Sequence, residues 1–530
     1  MSEELERLSR FVKSGRVSRR EFMVAAVAAG VTVASASTMF AKLARAEPKA
    51  GGHFKLGIGA GSTTDSIDPQ TYLDTYMQSV GHSVFSYLTE VDPDGKLVGE
   101  LAEEWDVSPD AKVWTFKLRP GIEFHNGKTF TAEDAVNSIN HHRGPDSKSA
   151  AKGIVDAIED VKADGPNTIV ITLKGGNADF AYLLDDYHLA MMPTKDGKAD
   201  ASGIGTGAYI LDRIDYGVTA VVKKNPNYWK SGRGWFDTVE FLAIKDVAAR
   251  TNALNTGQIH AMDRCDLKTI HLLERNKNLE IVSITGTQHY TIPMLVDQAP
   301  FDNVDVRTAL KYAIDREKLV ETILRGYGAP GNDHPISPAN RYFAKDLEQR
   351  RYDPDKAKHH LKKAGFETLQ VDLSTADAAF SGAVDTAVLY KEHAAAAGID
   401  INVVREPNDG YWENVWMKKP WSFCYWSGRP TEDWMFSLAY SADANWNDTH
   451  WKNPRFNELL VEARAELDEK KRAQMYAEMQ ALCRDDGGTV MPMYANYVNA
   501  LSKKVGHGKM GNNWDLDGLR AAERWWFAEA

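Results

Sequence analysis

Apolar and polar residues alternate with period two over Val113–Leu118 (Val-Trp-Thr-Phe-Lys-Leu) and again over Thr168–Leu173 (Thr-Ile-Val-Ile-Thr-Leu), which predicts two half-buried strands. Pro120-Gly121 closes the first with turn chemistry. Thr131 stands before Ala132-Glu133-Asp134 as an N-cap with acids in the first turn, so a helix is expected to open there. Farther along, the spacing becomes helical. Two amphipathic stretches, 304–313 and 316–324, follow one another; Leu319, Val320, Ile323 and Leu324 share a face, and Gly326 is a natural stop. Asn453 caps a helix beginning at Pro454 that turns Phe456, Leu459, Leu460 and Ala463 inward, and Asp468 caps another that runs to Cys483, before Gly487-Gly488. Strands and helices mixed without strict βαβ alternation predict an α/β or α+β chain.

The amino terminus has a different pattern. Ser18-Arg19-Arg20-Glu21-Phe22-Met23 precedes a mildly apolar run, Val24 to Phe40, and Ala44-Arg45-Ala46 offers a small-residue cleavage site before Glu47. A charged start, a short apolar core and small residues at the cut describe a secretory signal over residues 1–46. The paired arginines specify the twin-arginine address, implying a twin-arginine translocase as partner and an exported product. No cysteine stands near the cut, so no lipid anchor is expected. Without this leader 484 residues remain, with 55 basic and 70 acidic side chains, a net charge of −15. That balance suits a soluble chain and argues against nucleic acid as a partner. The length exceeds one core and implies two or three domains. Cys265, Cys424 and Cys483 form no disulfide framework; free buried thiols are expected, with a single bridge the alternative.

Catalytic motifs are missing. There is no G-x-S-x-G elbow and no H-E-x-x-H metal helix. Gly57-Ile58-Gly59-Ala60-Gly61 lacks the helix and downstream acid of a dinucleotide site and the Lys-Ser/Thr end of a phosphate loop. Adjacent histidines, His141-His142 and His359-His360, point about 100° apart on a helix and make no two-ligand face. No cofactor or metal is expected. Aromatic residues carry more information. Tyr411, Trp412, Trp416, Trp421, Phe423, Tyr425, Trp426, Trp434, Trp446 and Trp451 crowd one stretch, interleaved with Ser, Asn, Asp and Arg. Some must serve packing, but the mixture suits the wall of a small-molecule pocket.

Six motifs then fall in a family order: 101–105 through 114–127 (Leu-Ala-Glu-Glu-Trp … Trp-Thr-Phe-Lys-Leu-Arg-Pro-Gly-Ile-Glu-Phe-His-Asn-Gly), Thr206-Gly207-Ala208-Tyr209, Asn225-Pro226-Asn227-Tyr228-Trp229, 254–259, 300–316 and Tyr352-Asp353-Pro354-Asp355-Lys356-Ala357. In these the chain resembles the family 5 extracellular solute-binding proteins of ABC importers, the peptide-, nickel- and opine-binding type. The resemblance implies a large two-lobed α/β periplasmic-binding-protein fold of the cluster C type, with an extra domain inserted in the first lobe. It places lobe I at 47–75, 200–288 and 498–530, the extra domain at 76–199 and lobe II at 289–497. It further implies a monomer that closes on a peptide-, opine- or conjugate-like solute and docks on an inner-membrane permease.

The same resemblance supplies the site expectations. In peptide-binding relatives an acid directly after the run Trp426-Ser427-Gly428 receives the peptide's amino terminus; here Arg429 stands there, and the nearest acids are Glu432 and Asp433. Arg429 either grips an anionic group of the solute with two parallel bonds, or turns away or pairs internally with Asp433. Arg264 is a second anion contact, or pairs with Asp263 or Asp266. His289 and Tyr290 begin the crossing into lobe II, and Thr63 and Thr64 offer hydroxyls at the first-lobe edge. Tyr494 faces the cleft or packs in the core. Trp412 and Trp446 are the stacking candidates. The competing function is a twin-arginine-exported periplasmic enzyme whose dispersed active site leaves no local motif.

Overall fold

The structure is a computed structural model that describes residues 24–26, 48–149, 151–408 and 410–528. The paired arginines, the cleavage site and all but three residues of the apolar run lie outside the described residues. Among the described residues no helix is long and apolar enough to cross a membrane.

Both predicted strands form with the predicted bounds, Val113–Leu118 and Thr168–Leu173, and they pair with each other antiparallel, Val113 opposite Thr172. With Ala102–Val107 and Ile158–Ala163 they make a four-stranded sheet. Helix Ala132–His141 covers it, and Asp134 accepts hydrogen bonds at 2.9 Å from both the backbone N–H and the hydroxyl of Thr131, which fixes the helix start. Sheet and helix enclose their own core around Trp114, Phe116, Ile139, Ile169 and Ile171.

A nine-stranded mixed sheet organises the rest. Its order runs Tyr209–Asp215, Thr219–Lys224, Thr238–Ala243, His53–Ile58, Ala261–Met262, Thr489–Ser502, Leu279–Pro293 and Cys424–Trp426, with Gly328–Pro330 also paired to Thr489–Ser502. The two longest strands, 279–293 and 489–502, form an antiparallel ribbon whose register shifts between Thr285 and His289 and again between Tyr290 and Ile292. Its two ends enter different cores. Leu501, with Val282 and Ile284, packs among Phe54, Phe236, Phe241 and Trp525; Ile292, Val490 and Met493 pack among Leu310, Leu373, Tyr390 and Trp421.

Two glycines sit where the ribbon shifts register. A Cβ on Gly286 would lie 2.2 Å from the Tyr497 ring, and one on Gly428 would lie 2.2 Å from the Thr287 hydroxyl oxygen. Gly428 also has φ +80°, a conformation open to glycine. The ribbon and the turn after Trp426 touch there because both residues lack side chains.

The predicted helices follow their patterns. Val304–Tyr312 and Arg316–Thr322 succeed one another; Leu319 and Leu324 are buried, with Val320 and Ile323 packed beside them. Pro454–Ala465 starts at Asn453, whose side chain accepts from the Phe456 N–H at 3.0 Å, and Phe456, Leu459, Leu460 and Ala463 are all buried. Glu469–Asp485 is capped by Asp468. The three cysteines are buried free thiols.

Candidate functional site

A cleft of about 1350 Å³ opens beside the ribbon. One wall comes from helix Thr75–Val84, the segment 264–268 and Trp514-Asp515; the other comes from the loop 378–382, Tyr425, Ser427, Arg429 and Trp446, and Tyr290 and Tyr497 of the ribbon lie between them. Local sequence positions these groups. Asp74 caps the first helix by accepting from the Tyr76 N–H at 2.9 Å, which brings Thr75 to the cleft. On the other wall, strand Cys424–Trp426 pairs with the ribbon so that Tyr425 lies opposite Tyr290 and Trp426 opposite His289. Alternation then sends Tyr425 toward solvent and buries Cys424 and Trp426.

The two arginines of the cleft differ in what surrounds them. Arg264, with φ +48°, is tied down by Thr75, whose hydroxyl accepts from Nη2 at 2.9 Å, and its Nε lies 3.7 Å from Asp263. Burial pulls its pKa down, but Asp263 and Asp515 outweigh that and raise it. Arg429 has no such company. Its Nη1 donates to the Gly428 carbonyl at 2.6 Å and its guanidinium lies 5.5 Å from the centre of the Trp434 ring. Among the described residues no carboxylate pairs with it. Burial lowers its pKa, and Tyr187 and Asp186 only partly offset that cost. Asp433 is engaged elsewhere: it sits in the first turn of helix Glu432–Ala439 and accepts from Arg464 Nε at 2.9 Å, while burial pushes its pKa up.

Carboxylates of the cleft are already satisfied. Asp74 accepts from two backbone N–H groups, Asp266 from Lys268 N–H and the Thr269 hydroxyl, and Asp515 from Asn499 and Leu516. Asp385 is paired with Lys268 at 3.3 Å. Even a half-buried guanidinium without a counter-ion is costly to hold. The cleft therefore offers an anion a better place than it offers a cation.

Of the residues singled out from sequence, Arg264, Tyr290, Ser427, Arg429 and Trp446 line the cleft together. The others stand apart from its lining. Thr63 and Thr64 are exposed in a turn closed by the Asp65 N–H and the Ser62 carbonyl. His289 is buried in the ribbon, its Nδ1 donating to the Thr287 carbonyl at 3.0 Å. Tyr494 is buried, donating from its hydroxyl to the carbonyls of His334 and Ile336. Trp426 is buried behind Trp446, and Gly428 is the contact point with Thr287. Trp412 is exposed and meets Tyr425 edge to face at 5.7 Å. Cleft residues not anticipated include Phe380, which stacks on Tyr290 at 3.8 Å with the planes 4° apart, and Tyr187, Gln288, Tyr497 and Trp514. Segments far apart in sequence, two of them strands of the ribbon, bring these together at the cleft.

Three of the four paired histidines are bound within the protein, and His359 is exposed. His141 reaches Asp68 at 2.9 Å and His142 reaches Ser149 at 2.6 Å; His360 reaches Asp305 at 2.8 Å and stacks on Tyr312.

The family model described as bacterial extracellular solute-binding proteins, family 5 Middle, matches residues 96–448, more than half of the chain. The chain is 28% identical over 465 residues to the glutathione-binding protein GsiB of Escherichia coli strain K12, covering 84% of this chain and 90% of that one. In fold it is similar to the periplasmic binding protein DppA from Helicobacter pylori in complex with the peptide STSA, with a TM-score of 0.74, 23% identity and coverage of 91% of this chain and 99% of that one. It is likewise similar to AgaA of A. tumefaciens R10 in complex with agropinic acid, with a TM-score of 0.73, 23% identity and coverage of 90% and 99%. The mixed α/β architecture is thus that of two-lobed periplasmic binding proteins.

Proposed function

Because the chain belongs to the family 5 bacterial extracellular solute-binding proteins, we propose that it is the periplasmic binding component of an ABC importer that captures an anionic peptide-like or opine-like solute. Closure of the cleft then delivers the solute to a membrane permease. Lobe I would be 47–75, 200–288 and 498–530, the extra domain 76–199 and lobe II 289–497, with the ribbon as the hinge. The register shift of the ribbon at 285–289 and the side-chain-free contact of Gly428 with Thr287 support a hinge there. A solute shifts such an equilibrium by binding the closed form better.

The observation that carries the choice of solute is Arg429, a half-buried guanidinium at the cleft with no paired carboxylate among the described residues, since Asp433, four positions on, is bound to Arg464. An anionic group of the solute supplies the missing counter-ion. Relatives named for glutathione and for agropinic acid agree with an acidic cargo. A free α-amino group at Arg429 is disfavoured by like charge, so unmodified neutral dipeptides are expected to bind poorly.

Titration calorimetry of the leaderless protein against glutathione, an opine acid and unmodified dipeptides tests this reading. An acidic conjugate is expected to bind, and Arg429→Ala is expected to weaken it by about 10- to 100-fold, the worth of a charge-assisted hydrogen bond. Micromolar binding of plain dipeptides, unchanged in Arg429→Ala, defeats it. Export is tested separately. Arg19→Lys with Arg20→Lys is expected to leave the precursor in the cytosol, read by cell fractionation, whereas normal secretion refutes the twin-arginine address.

A further inference from the structure

The chain contains 14 Trp, 20 Tyr and 19 Phe. Among the described residues only three of these rings are more than about a third exposed: Trp412 at 38%, Tyr425 at 41% and Trp446 at 44%. They are neighbours. Trp412 meets Tyr425 at 5.7 Å and Trp416 at 5.8 Å, and Trp416 meets Trp446 at 6.4 Å, all edge to face. Trp416, the ring in the middle, is half-buried and held in place: its Nε1 donates to the Asp448 carboxylate at 3.1 Å.

Two of the three exposed rings, Tyr425 and Trp446, line the cleft together with Arg429. Exposed aromatic area of this kind is costly in water, and a protein that buries or half-buries its other described rings has left these open at one place. Among the described residues no cation–ring contact involves any of the three, and the buried acid Asp448 is turned to Trp416. The exposed faces are therefore open and backed by the held ring of Trp416. Flat apolar groups stack on such faces, with ring centroids 4.5–7 Å apart in the usual case.

We propose that Tyr425 and Trp446 of the cleft, with Trp412 beside them at its rim, form a ring-binding subsite, so that the solute carries a flat aromatic or heterocyclic group together with its anionic group. The subsite rests on the reading of the cleft as a solute site, but its test does not depend on the role of Arg429. A small solute is the occupant because the patch is continuous with the cleft, and a second copy of the chain is the competing occupant.

Three probes separate the contributions: glutathione as anion without a ring, S-benzylglutathione as anion with a ring, and N-acetyl-L-tyrosinamide as neutral ring without a charge. S-Benzylglutathione is expected to bind about 10-fold tighter than glutathione by calorimetry, a gain typical of one stacked ring. Trp446→Ala and Trp412→Ala are expected to bring the two peptides within about 2-fold of each other. The neutral ring, titrated into protein carrying ¹⁵N-labelled tryptophan, is expected to shift the indole N–H signals of Trp412 and Trp446. If both peptides fail to bind, the anionic reading falls, and the neutral ring alone still decides the subsite. Equal affinity of the two peptides, a preference that survives in both variants, or neutral ring titration without indole shifts overturns the subsite. A sedimentation profile showing a dimer that dissociates in Trp446→Ala overturns it in favour of a second copy.

Discussion

Replacing Arg520 with alanine is expected to destabilise the protein by about 3–5 kcal/mol, because it strips the central cation from a buried cluster of carboxylates. Arg520 is buried and donates to Glu100 at 2.9 and 3.0 Å, to Glu523 at 3.1 Å and to Asp185 at 3.2 Å. Lys230 bridges Glu90 and Glu100 at 2.7 and 2.6 Å, and Arg524 joins Glu90 to Asp517 at 2.8 and 2.9 Å. Without Arg520 these acids remain buried with too little positive charge. Urea unfolding at neutral pH reads the loss as a lower midpoint at constant slope.

The same cluster sets a pH signature. Burial alone raises the pKa of Glu90 and Glu523, but Lys230 with the surrounding arginines reverses this and lowers both. A lowered folded-state pKa gives stability that is present above the ordinary carboxylate range and is lost as pH falls through the folded value. Native protein is therefore expected to lose stability steeply in acid. In Arg520→Ala the carboxylates are held less firmly and the acid-side slope is expected to flatten. An unchanged slope would mean that the cluster does not titrate as a unit.

Elements whose cause is local could be read from sequence. The strands 113–118 and 168–173 carry their alternation within six residues, and Asn453 and Asp468 lie next to the helices they cap. Groups whose cause is distant could not be read. Arg520 and Glu100 are 420 positions apart, and the stacked pair Tyr290 and Phe380 joins a strand to a loop that has no marking pattern. Arg429 shows the limit most clearly. Whether it meets Asp433 or the cleft depends on which way the first turn of helix Glu432–Ala439 faces, and that is fixed by Arg464, 31 positions on. Aromatic density was visible between 411 and 451, but not its division into buried rings such as Trp421 and Trp451 and open ones such as Trp446.

Asp179→Ala is expected to weaken solute binding by roughly 100-fold or more, although Asp179 is not among the cleft-lining residues. Asp179 lies at the start of helix Phe180–Leu183, in the segment assigned to the extra domain, yet its carboxylate accepts from Arg472 at 2.6 and 3.0 Å and from Arg341 at 2.5 Å, both assigned to lobe II. The Ala178 N–H donates to the Arg464 carbonyl at 2.7 Å beside it. Asp179 and Arg472 are buried, and Arg341 lies over the rings of Tyr182 and Tyr342. Opening of the proposed lobes must pull this ion triad apart. Alanine leaves two arginines without their shared carboxylate, at a cost of about 3–5 kcal/mol charged to the closed arrangement. A solute must then spend that much of its binding energy to close the cleft. Small-angle scattering of the variant without solute is expected to show a larger radius of gyration, and calorimetry a weaker Kd. A lower melting temperature with Kd and radius unchanged would mean that the triad holds one rigid body together and is not broken when the cleft opens.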